Sequence, residues 1–194
     1  MVRGGQHTAE KILETAHHLF MERGYVGVSI NEVVQTVGIT KPSLYYHYAD
    51  KEALYAAVAE RALALMGAEL SAAIADEAID YEQQLTAVIT TIQAHNAEDF
   101  RMMRHEIRVH LGAPHQQRVG IRFYASMMAP IVTLMERGIA LGYYAGRSAS
   151  ELAMLFFCLV EAFTGPEATA VQLRLTAEHI SGMFLYGVAA PQRV

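Results

Sequence analysis

The 194-residue chain predicts an all-α fold, on three observations. Apolar residues recur every three or four positions along most of its length. No alternating apolar–polar stretch persists, while leucine, alanine, methionine and glutamate, all good helix formers, are plentiful. Glycines and capping residues punctuate the pattern at intervals suited to short connections.

Taken in order, residues from about Thr8 to Arg23 carry Ile12, Leu13, Ala16, Leu19 and Phe20 as one apolar stripe, with Gly24 as the stop. Ser29 and Glu32 form an S-x-x-E capping box that opens a second helix through Val37, buried along Ile30, Val33, Val34 and Val37. After Gly38 and Ile39, Thr40 is the N-cap of a very short third helix. Lys41, Pro42 and Ser43 fill its first turn, where the missing N–H of proline does little harm. Leu44 and Tyr48, four apart, point inward; Lys41, Ser43, Tyr45, Tyr46 and His47 stay outside. A helix that short is not stable alone and needs longer ones to hold it. Two helices joined by a glycine-containing turn, with polar and aromatic groups displayed on the second, describe a helix-turn-helix.

Asp50 caps a fourth helix reaching about Ala75, and Asp76 to Tyr81 is an acidic turn. Further helices are predicted from Glu82 to His95, from Ala97 to Leu111 (closed by Gly112-Ala113-Pro114), and from Gln117 to Leu141, ending at Gly142. The last two, about Ser148 to Thr164 and Glu167 to Val188, are unusually apolar. Leu152, Leu155, Phe156, Leu159, Val160 and Phe163 nearly surround the first; Leu173, Leu175, Ile180, Met183, Phe184 and Tyr186 thicken the second. Helices apolar on more than one face need partners on more than one side.

Charge narrows the function. The chain is −5 overall, yet residues 1–51 hold five basic and five acidic side chains, so residues 52–194 carry all of the excess. A general nucleic-acid coat would be strongly basic; this balance fits a small contact patch on an acidic body. The single cysteine, Cys158, rules out an internal disulfide and suggests a reducing compartment, and its apolar setting predicts a buried, inert thiol. The N-terminus lacks a signal-peptide pattern, and the longest apolar run, Leu152 to Val160, is too short to span a bilayer, so a cytoplasmic protein with no membrane partner is expected. An enzyme is not expected. Glu106 and His110 are four apart with no second unit to match a metal-carboxylate bundle, and no H-E-x-x-H, G-x-S-x-G or glycine-rich phosphate loop is present. Neither metal nor cofactor is called for. Arg101, Arg104 and Arg108 form a basic stripe, read as a solvated face with an anionic effector as the alternative.

One run is specific: Ile12-Leu13-Glu14-Thr15-Ala16, Leu19-Phe20, Gly24-Tyr25, Ser29-Ile30, Val33, Gly38-Ile39, and Ser43-Leu44-Tyr45-Tyr46-His47-Tyr48 through Lys51-Glu52-Ala53-Leu54. At these residues the chain resembles the TetR (tetracycline repressor) family of bacterial transcription regulators. Tyr48 departs from the family's usual phenylalanine but stays aromatic. Pro130 to Tyr143, with its basic-glycine pair and G-x-aromatic turn, resembles a C-terminal stretch of the same family more loosely.

The resemblance implies a helix-turn-helix DNA-binding domain at 1–54 and a helical effector-binding and dimerisation domain at 55–194. The third helix would enter the major groove of a double-stranded, palindromic operator. Lys41, Ser43 and Tyr46 become candidates for base edges; Thr40, Tyr45, His47 and Lys51, with Ser29 at its helix start, match positions that hold phosphates, and Pro42 sits in the same contact turn. The middle helices would enclose a small, mostly apolar effector, lined by Met102, Met128, Tyr124 and Phe157 and oriented by His95, His105, Glu106 and Glu161. Leu152, Leu155, Phe156, Leu159, Phe163, Leu175, Ile180, Met183 and Phe184 would form a two-fold homodimer interface. Family habit favours repression relieved by ligand. An activator of the same fold, or a helical ligand-binding module without DNA binding, are the alternatives.

Overall fold

The computed structural model of the chain describes residues 2–75, 78–95, 98–164 and 175–188, and every regular element among them is a helix. They are α1 (Val2–Gly27), α2 (Ile30–Val37), α3 (Lys41–His47), α4 (Lys51–Ala75), α5 (Tyr81–His95), α6 (Glu98–His110), α7 (Ala113–Phe123), a π-helical turn (Tyr124–Met128), α8 (Ala129–Ala140), α9 (Ala149–Thr164) and α10 (Ala177–Val188). None among the described residues is long and apolar enough to cross a membrane.

Two compact units emerge: Met1–Leu63 with Glu98–Arg122, and Ala64–Ala97 with Phe123–Val194. The residue 54/55 border expected from sequence lies inside the first unit, which also takes in α6 and α7. In that unit α1 packs on α2 and α6, and α2 on α3. Ile12, Ala16, Phe20, Val33, Leu44, Leu54 and Tyr55 are buried there, so the stripes read from the sequence do face inward. In the second unit α8 packs on α9, and α10 on α5 and α9. Its centre is aromatic: Phe156 and Phe184 meet edge-on at 5.0 Å, and Tyr144 meets Phe184 at 5.7 Å.

Three expectations need correction. The stretch predicted as one helix from Gln117 to Leu141 starts at Ala113 and widens at Tyr124–Met128. Pro114 lies in the first turn, where its lack of an N–H costs nothing. Pro130 is the cause of the widening: it has no N–H to give the carbonyl of Ser126, four residues back, and its ring crowds that carbonyl. The chain answers with a five-residue step, the Ala129 N–H donating to Tyr124 O. The second correction concerns the last helix. Residues 175–176 are not helical, and α10 begins at Ala177, where Thr176 caps it by accepting the His179 N–H. The expected start at Glu167, and Leu173, lie outside the described residues. Third, Cys158 is exposed. Its neighbourhood is apolar all round, so composition did not distinguish the inner from the outer face of α9, which buries Leu152, Phe156 and Val160 and turns Cys158 outward.

Candidate nucleic-acid interface

The third helix is built from local signals. Ser29, in extended conformation, caps α2 by accepting the Glu32 N–H at 3.2 Å. The reciprocal half of the capping box is absent: the Glu32 carboxylate accepts instead from Arg23 of α1, at 2.5 Å. Gly38 ends α2 in the left-handed conformation (φ 79°), giving its N–H to Val34 O and Gln35 O, and the Ile39 N–H also reaches Val34 O. Thr40, extended again, caps α3 by accepting the Ser43 N–H at 3.4 Å. The chain thus turns within three residues, Gly38 to Thr40, between two capped helices. Lys11 of α1 donates to the carbonyl of Val37 at 2.9 Å, tying the end of α2 to the helix beneath it.

Leu44 is fully buried and anchors α3, and the Tyr48 hydroxyl, half-buried, reaches the carbonyl of Ala9 at 3.5 Å. The opposite face is open. Lys41, Pro42, Tyr45 and Tyr46 are exposed along it, Tyr46 by 85%. Ser43 and His47 sit on the flank, half-buried, with the His47 ring edge-on to Tyr46 at 5.1 Å. Thr40 and Ser29 are exposed at their helix starts. Among the described cations of residues 7–51, Lys11 and Arg23 are committed to internal partners and Lys51 lies over the Tyr25 ring at 4.3 Å; Lys41 has none. Asp50 caps α4 by accepting the Ala53 N–H at 2.7 Å, which fixes Lys51 as its first residue. Burial pulls the Lys51 ammonium below the ordinary lysine value, with the Glu106 carboxylate acting against that shift.

The expected effector residues do not gather in one unit. Met102, His105 and Glu106 belong to the first; His95, Tyr124, Met128, Phe157 and Glu161 to the second. His95 pairs with Glu69 at 2.7 Å, Phe157 meets Phe123 edge-on at 5.4 Å, Met128 is buried, and Tyr124 and His105 are exposed. Glu106 is buried with both carboxylate oxygens in use: Oε1 accepts the Tyr25 N–H at 2.7 Å and Oε2 the Tyr55 hydroxyl at 2.5 Å. Nothing local in the sequence marks that role, since its donors stand 81 and 51 residues away. The second unit also has a groove of about 780 Å³ between α5 and α10, its lining including Ile79, Thr86, Ala87, Ser181, Leu185 and Tyr186, none of which the sequence singled out for a ligand.

The residues expected at a dimer interface divide by face. Leu152, Phe156, Ile180 and Phe184 are buried within the second unit; Leu159, Phe163 and Leu175 are half-buried; Leu155 and Met183 are each 47% exposed. Met154 and Cys158 of α9 and Tyr186 of α10 are also exposed.

Residues 12–58 match the family described as bacterial regulatory proteins, tetR family. The biofilm operon negative transcriptional regulator IcaR of Staphylococcus epidermidis is 46% identical over 46 residues, 24% of this chain and 25% of that protein. The chain spans less than half the length of the curated relatives it matches. Beyond the N-terminal region the likeness is one of fold. A TetR-family transcriptional regulator from Mesorhizobium loti superposes with a TM-score of 0.78 at 20% identity, over 96% of this chain and 98% of that one. AibR, solved with isovaleryl coenzyme A and operator DNA, gives 0.63 at 20% identity, over 95% and 99%. Residues 12–58 thus carry the match to the tetR family of bacterial regulatory proteins, and the chain shares its all-α fold along nearly its whole length with a solved regulator of that family.

Proposed function

We propose that this regulator is a homodimeric repressor that binds a palindromic operator through α3 and is released by a small effector. The observation that carries the reading is the open face of α3, where Lys41 stands without an internal partner beside the exposed rings of Tyr45 and Tyr46. A lysine so placed can bond guanine in the major groove, and Ser43 on the flank can donate to or accept from either base type. Thr40, Tyr45, His47, Lys51 and Ser29 are the phosphate contacts on this reading, with Pro42 in the same turn, and they set register rather than sequence. On this reading residues 1–54 hold the DNA contacts, and residues 55–194 bind the effector and the second copy.

The dimer is supported by apolar side chains left exposed on two adjacent helices, Met154, Leu155 and Cys158 on α9 and Met183 and Tyr186 on α10. A monomer in water gains nothing by exposing such a patch, whereas a second copy would cover it. A two-fold pair also matches an operator of two half-sites one helical turn apart. Repression accords with the negative regulation named for IcaR, and an effector accords with the ligand and operator named together for AibR. An effector releases DNA only through a difference in its affinity for the bound and free conformations.

The test is a footprint of the purified protein on DNA from immediately upstream of its own coding sequence. A protected stretch with two-fold sequence symmetry is expected; no protection there or elsewhere in a genomic library would leave the ligand-binding module as the better account.

A further inference from the structure

We infer that Glu106 is a positioning residue for DNA binding, acting on the phosphate contact of Lys51 through the Tyr25 ring; the inference rests on the DNA-binding reading above. Its geometry begins at Gly24. There α1 is broken by a backbone at φ 70° and ψ 171°, a conformation open to glycine and costly for other residues. The break turns the next N–H, that of Tyr25, out of the helix and into Glu106 Oε1. A Cβ at position 24 would lie 2.7 Å from that same oxygen, so the carboxylate occupies the space that the missing side chain leaves.

Oε2 meanwhile takes the Tyr55 hydroxyl, so one buried carboxylate on α6 clamps the end of α1 to the first turns of α4. Charge-assisted bonds of this length are among the stronger ones available to a fold. The aromatic groups interlock around them: Tyr25 meets Tyr55 edge-on at 5.1 Å, Phe20 meets Tyr55 at 4.8 Å, and His110, one turn beyond Glu106, stacks on Tyr25 at 5.2 Å. Lys51 lies over the ring so held. Its neighbour Glu52 accepts the Gly112 N–H at 2.7 Å, so the α6–α7 corner grips the first turn of α4 a second time. Lys51 is therefore carried by a platform whose position is set from α6 and not from the helix-turn-helix alone. A lysine left on a free four-carbon stem would lose rotamer freedom on meeting a phosphate; one seated on a fixed ring has lost much of it already.

The roles of charge and geometry separate by substitution. Glutamine at 106 can still accept the Tyr25 N–H and donate to the Tyr55 oxygen, whereas alanine removes both bonds. The experiment measures affinity for the operator identified by footprinting, across a salt series, for the full-length wild type, Glu106→Ala and Glu106→Gln, each first shown by circular dichroism to be folded at the assay temperature. The expected result is about a tenfold or greater loss for Glu106→Ala, with the slope of log K against log salt shallower by roughly one per half-site as the Lys51 contact is lost, and near wild-type behaviour for Glu106→Gln. A folded Glu106→Ala with wild-type slope and affinity overturns the inference, as does a glutamine variant as impaired as the alanine one. Should Glu106→Ala not fold, Tyr55→Phe removes one of the two bonds while keeping the ring; a shallower slope supports the inference and an unchanged slope overturns it. Failure of the wild type to prefer its operator over scrambled DNA would instead sink the DNA-binding reading itself, a different outcome from any of these.

Discussion

Gly67 of α4 faces Ser126 of the π-helical turn so closely that a Cβ at position 67 would lie 2.7 Å from both the carbonyl oxygen and the Cβ of Ser126. The widened turn presents the one carbonyl that Pro130 leaves without its helical donor, and the glycine lets backbone approach backbone there. Gly67→Ala is therefore expected to destabilise, by about 1–3 kcal/mol of overpacking, although helix propensity alone would favour alanine by about 1 kcal/mol. Thermal denaturation decides the sign: a lower midpoint is expected, and a higher one would contradict the close contact.

Alkaline pH should unfold the protein earlier than its composition suggests. Burial pushes the Tyr55, Tyr81 and Tyr144 phenols up, with the Glu106 hydrogen bond adding to it for Tyr55 and the Tyr144 hydrogen bond for Tyr81; Tyr144 reaches about 12. The folded state then holds protons that the unfolded chain releases near the ordinary tyrosine value of about 10. Stability is full below that pH and falls as pH rises from about 10 toward 12. Tyrosinate absorbance should show these three phenols among the chain's 10 tyrosines ionising together with loss of helix, and independent early ionisation would refute the assignment.

Thr40 caps α3 and, on the proposed reading, neighbours a phosphate, and substitution separates the roles. Thr40→Ala should cost about 1 kcal/mol as the cap is lost. Thr40→Asp should keep the stability, since aspartate caps well, and lose operator affinity as its charge meets phosphates. An aspartate variant that binds like the wild type would remove Thr40 from the interface.

What was legible in the sequence was whatever neighbouring residues decide. Ser29, Gly38, Thr40 and Asp50 bound helices by chemistry acting within four residues, and the structure places each where the pattern put it. Leu44 was readable as the anchor because α3 offers little else to bury. Pro130 was readable in principle, since its missing N–H is local, but the apolar pattern runs through it unbroken. Glu106 was not. A glutamate midway along a basic helix looks like a solvent or ligand group, and only the turn at Gly24 and the placement of Tyr55 make it a buried clamp. The faces of α9 and α10 were equally illegible, because helices apolar all round do not declare which side meets the rest of the unit.

Those faces yield a further expectation. Leu155→Glu places a charge on the open side of α9 without entering the buried set of Leu152 and Phe156. Sedimentation should show the wild type as a dimer and the variant shifted toward monomer, with helix content unchanged and operator affinity reduced. A variant that remains fully dimeric would place the interface elsewhere.

The central claim is that α3 reads DNA through Lys41. Its most direct test is fluorescence anisotropy of operator binding across a salt series, comparing the wild type, Lys41→Ala and a scrambled fragment. The account predicts specific binding that weakens about a thousandfold or more between 50 and 200 mM salt for ~6 phosphate contacts, and a Lys41→Ala variant that binds more weakly and discriminates less against scrambled DNA. Equal affinity for operator and scrambled DNA, or a Lys41→Ala variant indistinguishable from the wild type, would contradict it.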